Sequence, residues 1–343
     1  MTSDTQPLAP AGPDGVSDSR KWVAVLLAGA ATISLAPILL RYATDCGVGA
    51  VAVAFWRVAL ALPFLGGMAL IGRRAGPAKA PLHKAARADS RAVMFAVLGG
   101  AFFGIDLMLY HMALVRTTIA NATLMSNCAP VFVALAAWWL LGERFKRVFV
   151  VGLVLAIGGA VGLSLAERAT ERPGDNDQKL LGDLLAITSA VFYAGYQLCI
   201  KRARRSLRTR KTFTISIAAS AAVLLPAALI AGESLVPSSD QWRVIAYGWA
   251  ILLALGLVVQ LGGQGSIVTA MRHLPVSFLT VVLLTQPVMV AVLGWALLGE
   301  SLGGWHMLGA GGVLAGIYLA RRGSTETKRA PGLADETRAG FKD

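Results

Sequence analysis

Apolar residues in this chain run in long blocks rather than alternating, and short polar stretches separate the blocks. About 20 consecutive apolar residues suffice to cross roughly 30 Å of hydrocarbon. By that measure the sequence predicts ten membrane helices, near 21–41, 49–72, 92–114, 117–141, 148–166, 182–201, 212–232, 244–270, 276–298 and 303–321. The polar segments 75–90, 168–181 and 323–343 read as connections or a tail, and residues 1–20, rich in Asp, Pro, Gly and Ser, as another tail. The first block follows that tail and is long enough to span, so it is expected to stay in place as a helix rather than to be cleaved as a signal peptide.

One stretch of the pattern occurs twice. Residues 113–145 lie over 270–302 at a constant offset of 157, without a gap, and both copies contain P-V-x-V-A-x-x-x-W-x-L-L-G-E. Gly152 and Gly159 fall on Gly309 and Gly316 at the same offset, placing two small residues on one helix face as a candidate packing seam. Pro63 and Pro226 are expected to end the second and seventh helices. Repeated apolar halves are how many transporters are built. The expected fold is an all-α membrane protein with ten transmembrane helices in two inverted five-helix repeats: tail 1–20, first repeat 21–166, external connection 167–181, second repeat 182–322, tail 323–343. Five is odd, so the second copy enters the membrane from the opposite side.

Composition agrees with a bilayer and charge sets the orientation. The 343 residues are 56% hydrophobic and 15% charged, with a formal net charge of +13. A soluble protein with that charge would suggest nucleic acid. Here 25 of the 32 Lys and Arg residues lie in segments on the side of the termini, 6 lie on the other side, and Arg57 is within a helix. The positive-inside rule then puts both termini in the cytoplasm. The basic runs at 201–205 and 208–211 read as anchors on anionic lipid, with no nucleic-acid partner expected. Basic Arg144, Lys146 and Arg147 follow Glu143, whereas the matching segment after Glu300 carries no positive charge, as opposite exposure requires. Cys46, Cys128 and Cys199 are isolated and offer neither a disulfide framework nor metal-ligand spacing, so no cofactor is expected.

Paired L-L-G-E helix ends, a glycine-rich helix after each, and five-helix halves resemble the EamA-type branch of the drug/metabolite transporter superfamily, over residues 21–322. The resemblance implies a bundle in which helices 1–4 and 6–9 surround a central path and helices 5 and 10 lie at the periphery. Members of that branch are mostly bacterial inner-membrane exporters of amino acids, other small metabolites or toxic compounds. Family members often carry a Trp in the first helix of each half, where this chain has Ile33-Ser34 and Phe192-Tyr193.

Polar groups at membrane depth are the candidate site. Pro130 and Pro287 remove amide donors and free the carbonyls of Ser126 and Leu283, which in hydrocarbon must face a cavity or a neighbouring helix. Thr123, Asn127 and Pro130 share one helix face, and Thr280 and Pro287 repeat it. Asp106 is a carboxylate well inside a helix and a functional candidate by default. It shares a face with Gly99, Phe103 and Tyr110, and Arg57 is its candidate partner, in a static pair or in substrate or proton coupling. Ser189, Tyr193, Tyr196 and Gln197 cluster on one side of helix 6, Gln260 and Gln264 stack one turn apart, and Gln286 adjoins Pro287. These groups suit either orienting a small polar or amphipathic solute or bonding helix to helix. Glu143 and Glu300 read as helix-end caps.

The function expected is a secondary transporter, an exporter of a small organic metabolite by alternating access. Coupling to protons or to the solute gradient fits a chain without a G-x₄-G-K-[ST] segment. A passive channel or a membrane sensor is the alternative. An intramembrane enzyme would need clustered catalytic groups, and His83, His111, His273 and His306 lie on separate segments.

Overall fold

The computed structural model describes residues 13–74, 90–117, 122, 125–126, 128–141, 145–168, 176–298 and 304–323. Glu143 and Glu300 lie outside them. All regular structure among the described residues is helical: α1 (Pro13–Ile33), α2 (Ala36–Asp45), α3 (Ala50–Ala59), α4 (Ala61–Arg74), α5 (Ser90–Leu114), α6 (Ala129–Leu141), α7 (Arg147–Arg168), α8 (Asn176–Ala203), α9 (Thr209–Ile230), α10 (Trp242–Ala254), a π-helical stretch (Leu255–Gln264), α11 (Gly265–Ala270), α12 (Val276–Leu283), α13 (Thr285–Leu298) and α14 (Gly304–Gly323). Among the described residues, six segments are long and apolar enough to cross a bilayer: Arg20–Asp45, Ala50–Gly67, Ser90–Leu114, Gln178–Ala203, Thr209–Ile230 and Trp242–Ala270. Arg147–Gly162 and Val276–Val290 are shorter apolar helices. The chain is a multi-pass membrane protein.

Three expected helices are broken, each just before a proline. α1 stops at Ile33 and α2 starts at Ala36, ahead of Pro37; α3 stops at Ala59, ahead of Pro63; α12 stops at Leu283, ahead of Pro287. In each case the last helical residue lies four positions before the proline, the position whose carbonyl the missing amide would have satisfied. Pro63 therefore divides a span rather than ending it. Pro226 lies inside α9, which continues to Ile230.

Small residues set the close packing. A Cβ on Gly152 would meet the Gly316 carbonyl oxygen at 2.6 Å, and one on Gly159 would meet that of Gly309 at 2.6 Å. The residue number rises on α7 as it falls on α14, so the two helices are antiparallel. The contacts also exchange under the offset of 157: 152 with 316 becomes 309 with 159. Neighbours elsewhere exchange in the same way. α5 packs on α8 and α9, while the run from α10 to α11 packs on α1 and α3; α6 packs on α8, while α12 and α13 pack on α1. Across α5 and α9, Ser220 Oγ donates to the Gly100 carbonyl at 2.6 Å, and a Cβ on Gly104 would meet the Ser220 carbonyl at 3.0 Å.

Side chains satisfy several helix ends. The Ala52 amide at the start of α3 donates to Glu233 Oε2 at 2.9 Å, which ties that end to the loop after α9. Lys201 Nζ donates to the carbonyls of Met271 and Leu274 after α11, at 2.6 and 2.5 Å. Gly47, at φ 84°, turns the chain between α2 and α3, and a Cβ there would also press on Ser238 Oγ at 2.6 Å.

The seam makes a contrast between neighbouring residues. Gly159→Leu is expected to force α7 and α14 apart at a cost of about 1–3 kcal/mol or more. Gly158→Leu, where a Cβ meets nothing within 4 Å, should leave stability unchanged. Thermal unfolding of the two variants in detergent checks this, and equal midpoints would remove the seam from the account.

Candidate functional site

Two of the helix breaks, those ahead of Pro37 and Pro287, adjoin one cavity. A space of about 110 Å³ is lined by Ile33, Ser34, Ala36 and Pro37 from the first break and by Leu283, Leu284, Gln286 and Val290 from the break between α12 and α13. Ser126, Ala129 and Pro130 at the start of α6 complete this side. Arg57, Phe103, Asp106, Leu107, Tyr110, Tyr193, Gln264 and Thr280 form the rest. Ser34 Oγ donates to the Ala30 carbonyl at 2.9 Å and lies 3.4 Å from the Gln286 carbonyl, so the first and third breaks meet.

Two opposite charges are buried here. Arg57 on α3 is 4% exposed and Asp106 on α5 is 7% exposed. The sequence offered Arg57 as the candidate partner of Asp106, in a static pair or in substrate or proton coupling. In the structure Arg57 Nε donates to Gln260 Oε1, at 3.2 Å, in the π-helical stretch. The guanidinium still lies within the electrostatic reach of Asp106, Tyr110, Tyr193 and Tyr196, and Asp106 stands beside Ser189 of α8. Burying an isolated charge is costly, so each group depends on the other's field and on neutral hydrogen-bonding neighbours.

A second polar group adjoins the first. Gln264 Nε2 donates to Tyr196 Oη at 3.0 Å. The Tyr196 ring stacks on Phe103 with centroids 4.7 Å apart and lies 5.8 Å from the Tyr193 ring. α5, α8 and the π-helical stretch are thereby joined beside the cavity. The Thr280 hydroxyl donates back to the Val276 and Ser277 carbonyls, at 3.0 and 2.9 Å, which leaves its oxygen able to accept.

Of the residues singled out from sequence, Arg57, Asp106, Tyr110, Pro130, Tyr193, Gln264, Thr280 and Gln286 line the cavity. Tyr196 and Gln260 reach it through their hydrogen bonds to Gln264 and Arg57. Pro287 is buried behind the lining. Gln197 is fully buried, and neither atom of its amide has a partner among the described residues. Thr123 and Asn127 lie outside the described residues. His111 is also separate from the site: its Nδ1 lies 3.0 Å from the Ala50 carbonyl and holds α5 to the start of α3. Sequence reasoning missed Pro37 and Ser34. The signal was present, a proline in the middle of the first apolar block, but Pro37 falls outside the repeated stretch that drew attention to Pro130 and Pro287.

A second, larger hollow of about 550 Å³ between α5, α6 and α8 is lined by apolar and aromatic groups, among them Phe102, Phe132, Trp139 and Phe192. It offers no polar chemistry.

Apolar helices around a small, charged, internal cavity define a membrane transporter. The EamA-like transporter family model matches residues 20–165 and 180–322, and the chain belongs to that family. It is 26% identical over 230 residues to the pseudopaline exporter CntI of Pseudomonas aeruginosa, covering 67% of this chain and 74% of that protein. It is also 26% identical over 227 residues to an uncharacterized transporter of Archaeoglobus fulgidus, covering 66% and 76%. A solved crystal structure superposes with a TM-score of 0.68 at 19% identity, over 88% of this chain and 98% of that one, which speaks for the fold alone.

Tyr196→Phe removes the hydrogen-bond acceptor of a buried amide. The expected cost is about 1–3 kcal/mol, the penalty of leaving Gln264 unsatisfied. A double-mutant cycle with Gln264→Leu measures it by thermal or denaturant unfolding. Strict additivity would mean that the bond contributes nothing.

Proposed function

We propose that this chain is a secondary transporter that exports a small organic metabolite, amino acid-like or amphipathic, across the bacterial inner membrane. In this reading ten transmembrane helices form two inverted five-helix repeats, residues 21–166 and 182–322, with both termini in the cytoplasm. The two halves expose the central cavity alternately to the two sides. The observation that carries the reading is the cavity itself, in which a buried guanidinium and a buried carboxylate share one space with aromatic and amide groups. Such a space can orient a small solute by charge and hydrogen bonds while the aromatic rings supply apolar contact.

Inversion is supported by the antiparallel glycine seam, by the exchange of helix neighbours under the repeat offset, and by the excess of basic residues on one side. Export is supported by the likeness to the Pseudomonas pseudopaline exporter. Membership of a transporter family argues against catalysis as the role of the buried charges.

Counterflow in proteoliposomes tests transport directly. Radiolabelled amino acids and amphipathic metabolites, screened in turn, should include a solute with saturable exchange. Asp106→Asn and Arg57→Gln should each lower that exchange at least about tenfold, a loss of ~1.4 kcal/mol. If Asp106 exchanges a proton, Asp106→Asn also abolishes the pH dependence. Flux that rises linearly with solute, without exchange, would make the chain a passive channel. Labelling that places the segments after residues 143 and 300 on the same membrane face would end the inverted arrangement.

A further inference from the structure

Three prolines at the cavity share a chemical consequence. Ile33, Ser126 and Leu283 each lie four residues before a proline, Pro37, Pro130 and Pro287, and each lines the cavity. Proline brings no amide hydrogen, so none of the three carbonyls receives the bond that a continuous helix would supply. Among the described residues, no backbone hydrogen bond outside the helices reaches the carbonyl of Ile33, Ser126 or Leu283. An unsatisfied carbonyl at membrane depth costs several kcal/mol unless water, protein or a ligand supplies the missing positive partner.

The helices at these positions also pack together. α1 packs on α12 and α13, and α6 packs on α12. α3, which carries Arg57, packs instead on α5, α9 and the π-helical stretch. Arg57, held by Gln260, lines the same cavity as Ile33, Ser126, Leu283 and Thr280. Asp106 lines the same space and places a carboxyl group beside these residues.

We infer that the carbonyls of Ile33, Ser126 and Leu283 form a subsite for a monovalent cationic group, in the cavity that Asp106 also lines. Unwound backbone carbonyls are suited to such a charge because they replace its hydration shell without introducing a further full charge. The group is either a free alkali ion or the ammonium of a carried solute, since oxygen dipoles attract both. This inference rests on the reading of the cavity as a solute path and adds the chemistry of one subsite in it.

Thermal unfolding of the purified protein in sodium chloride, methylammonium chloride or N-methylglucamine chloride, at equal ionic strength, tests it. A saturable rise in the unfolding midpoint with sodium or methylammonium, absent with the bulky N-methylglucamine, is expected. An effect of sodium alone assigns the subsite to a free ion; an effect of methylammonium alone assigns it to a solute ammonium. Pro37→Ala and Pro287→Ala return amide hydrogens to the Ile33 and Leu283 carbonyls. Each should raise the salt-free midpoint while weakening the cation effect at least about tenfold in concentration. Equal midpoints in all three salts, or a cation effect unchanged in both proline variants, would overturn the subsite. The salt series on the unaltered protein stands even if a variant fails to fold. Intact solute counterflow with no cation effect rejects the subsite alone, and a cation effect in a protein that moves no solute rejects the transport reading alone.

Discussion

A peptide carbonyl inside a bilayer has no water to turn to, and this fold is arranged around the places where that requirement is relaxed. Most of the chain meets it by uninterrupted helix. At Pro37, Pro130 and Pro287 it is not met within the helix, and these interruptions come together instead of being scattered over the lipid-facing surface. Polar backbone concentrated at one point needs a polar enclosure. Arg57, Asp106, Tyr193 and Gln264 supply it, and the broken helices and buried charges are thus parts of one solution.

Ionic groups at the centre are held indirectly. A guanidinium and a carboxylate placed in direct contact would satisfy each other and leave little for a solute. The Arg57 bond to Gln260 keeps the guanidinium in place while leaving the carboxylate of Asp106 beside Ser189 rather than locked in a bidentate pair. The aromatic stack of Phe103, Tyr196 and Tyr193 fixes the wall behind them, and Gln264 ties that wall to the π-helical stretch.

Much of this was legible in the sequence because membranes simplify the reading. Apolar length marks the helices, and the G-x₆-G spacing at Gly152 and Gly159 marks the face on which α7 meets α14. Proline frees a carbonyl by local chemistry, so those of Ser126 and Leu283 could be read from Pro130 and Pro287, whereas that of Ile33 was missed with Pro37. Partner choice was less legible. Arg57 and Asp106 stand out as charges at membrane depth, and they do lie within each other's electrostatic reach. Which group the guanidinium bonds depends on how each helix is rotated, and the Gln260 bond could not be read from spacing. The π-helical stretch was also hidden: Gly256, Gly262, Gly263 and Gly265 mark a helix with few side chains to fix its winding, yet glycine content alone does not distinguish wider winding from close packing.

The seam between α7 and α14 is self-complementary: each helix presents to the other the same two glycines in reverse order. A helix with that property can recognise a second copy of itself running the opposite way, so the interface needs no divergence between the copies to form.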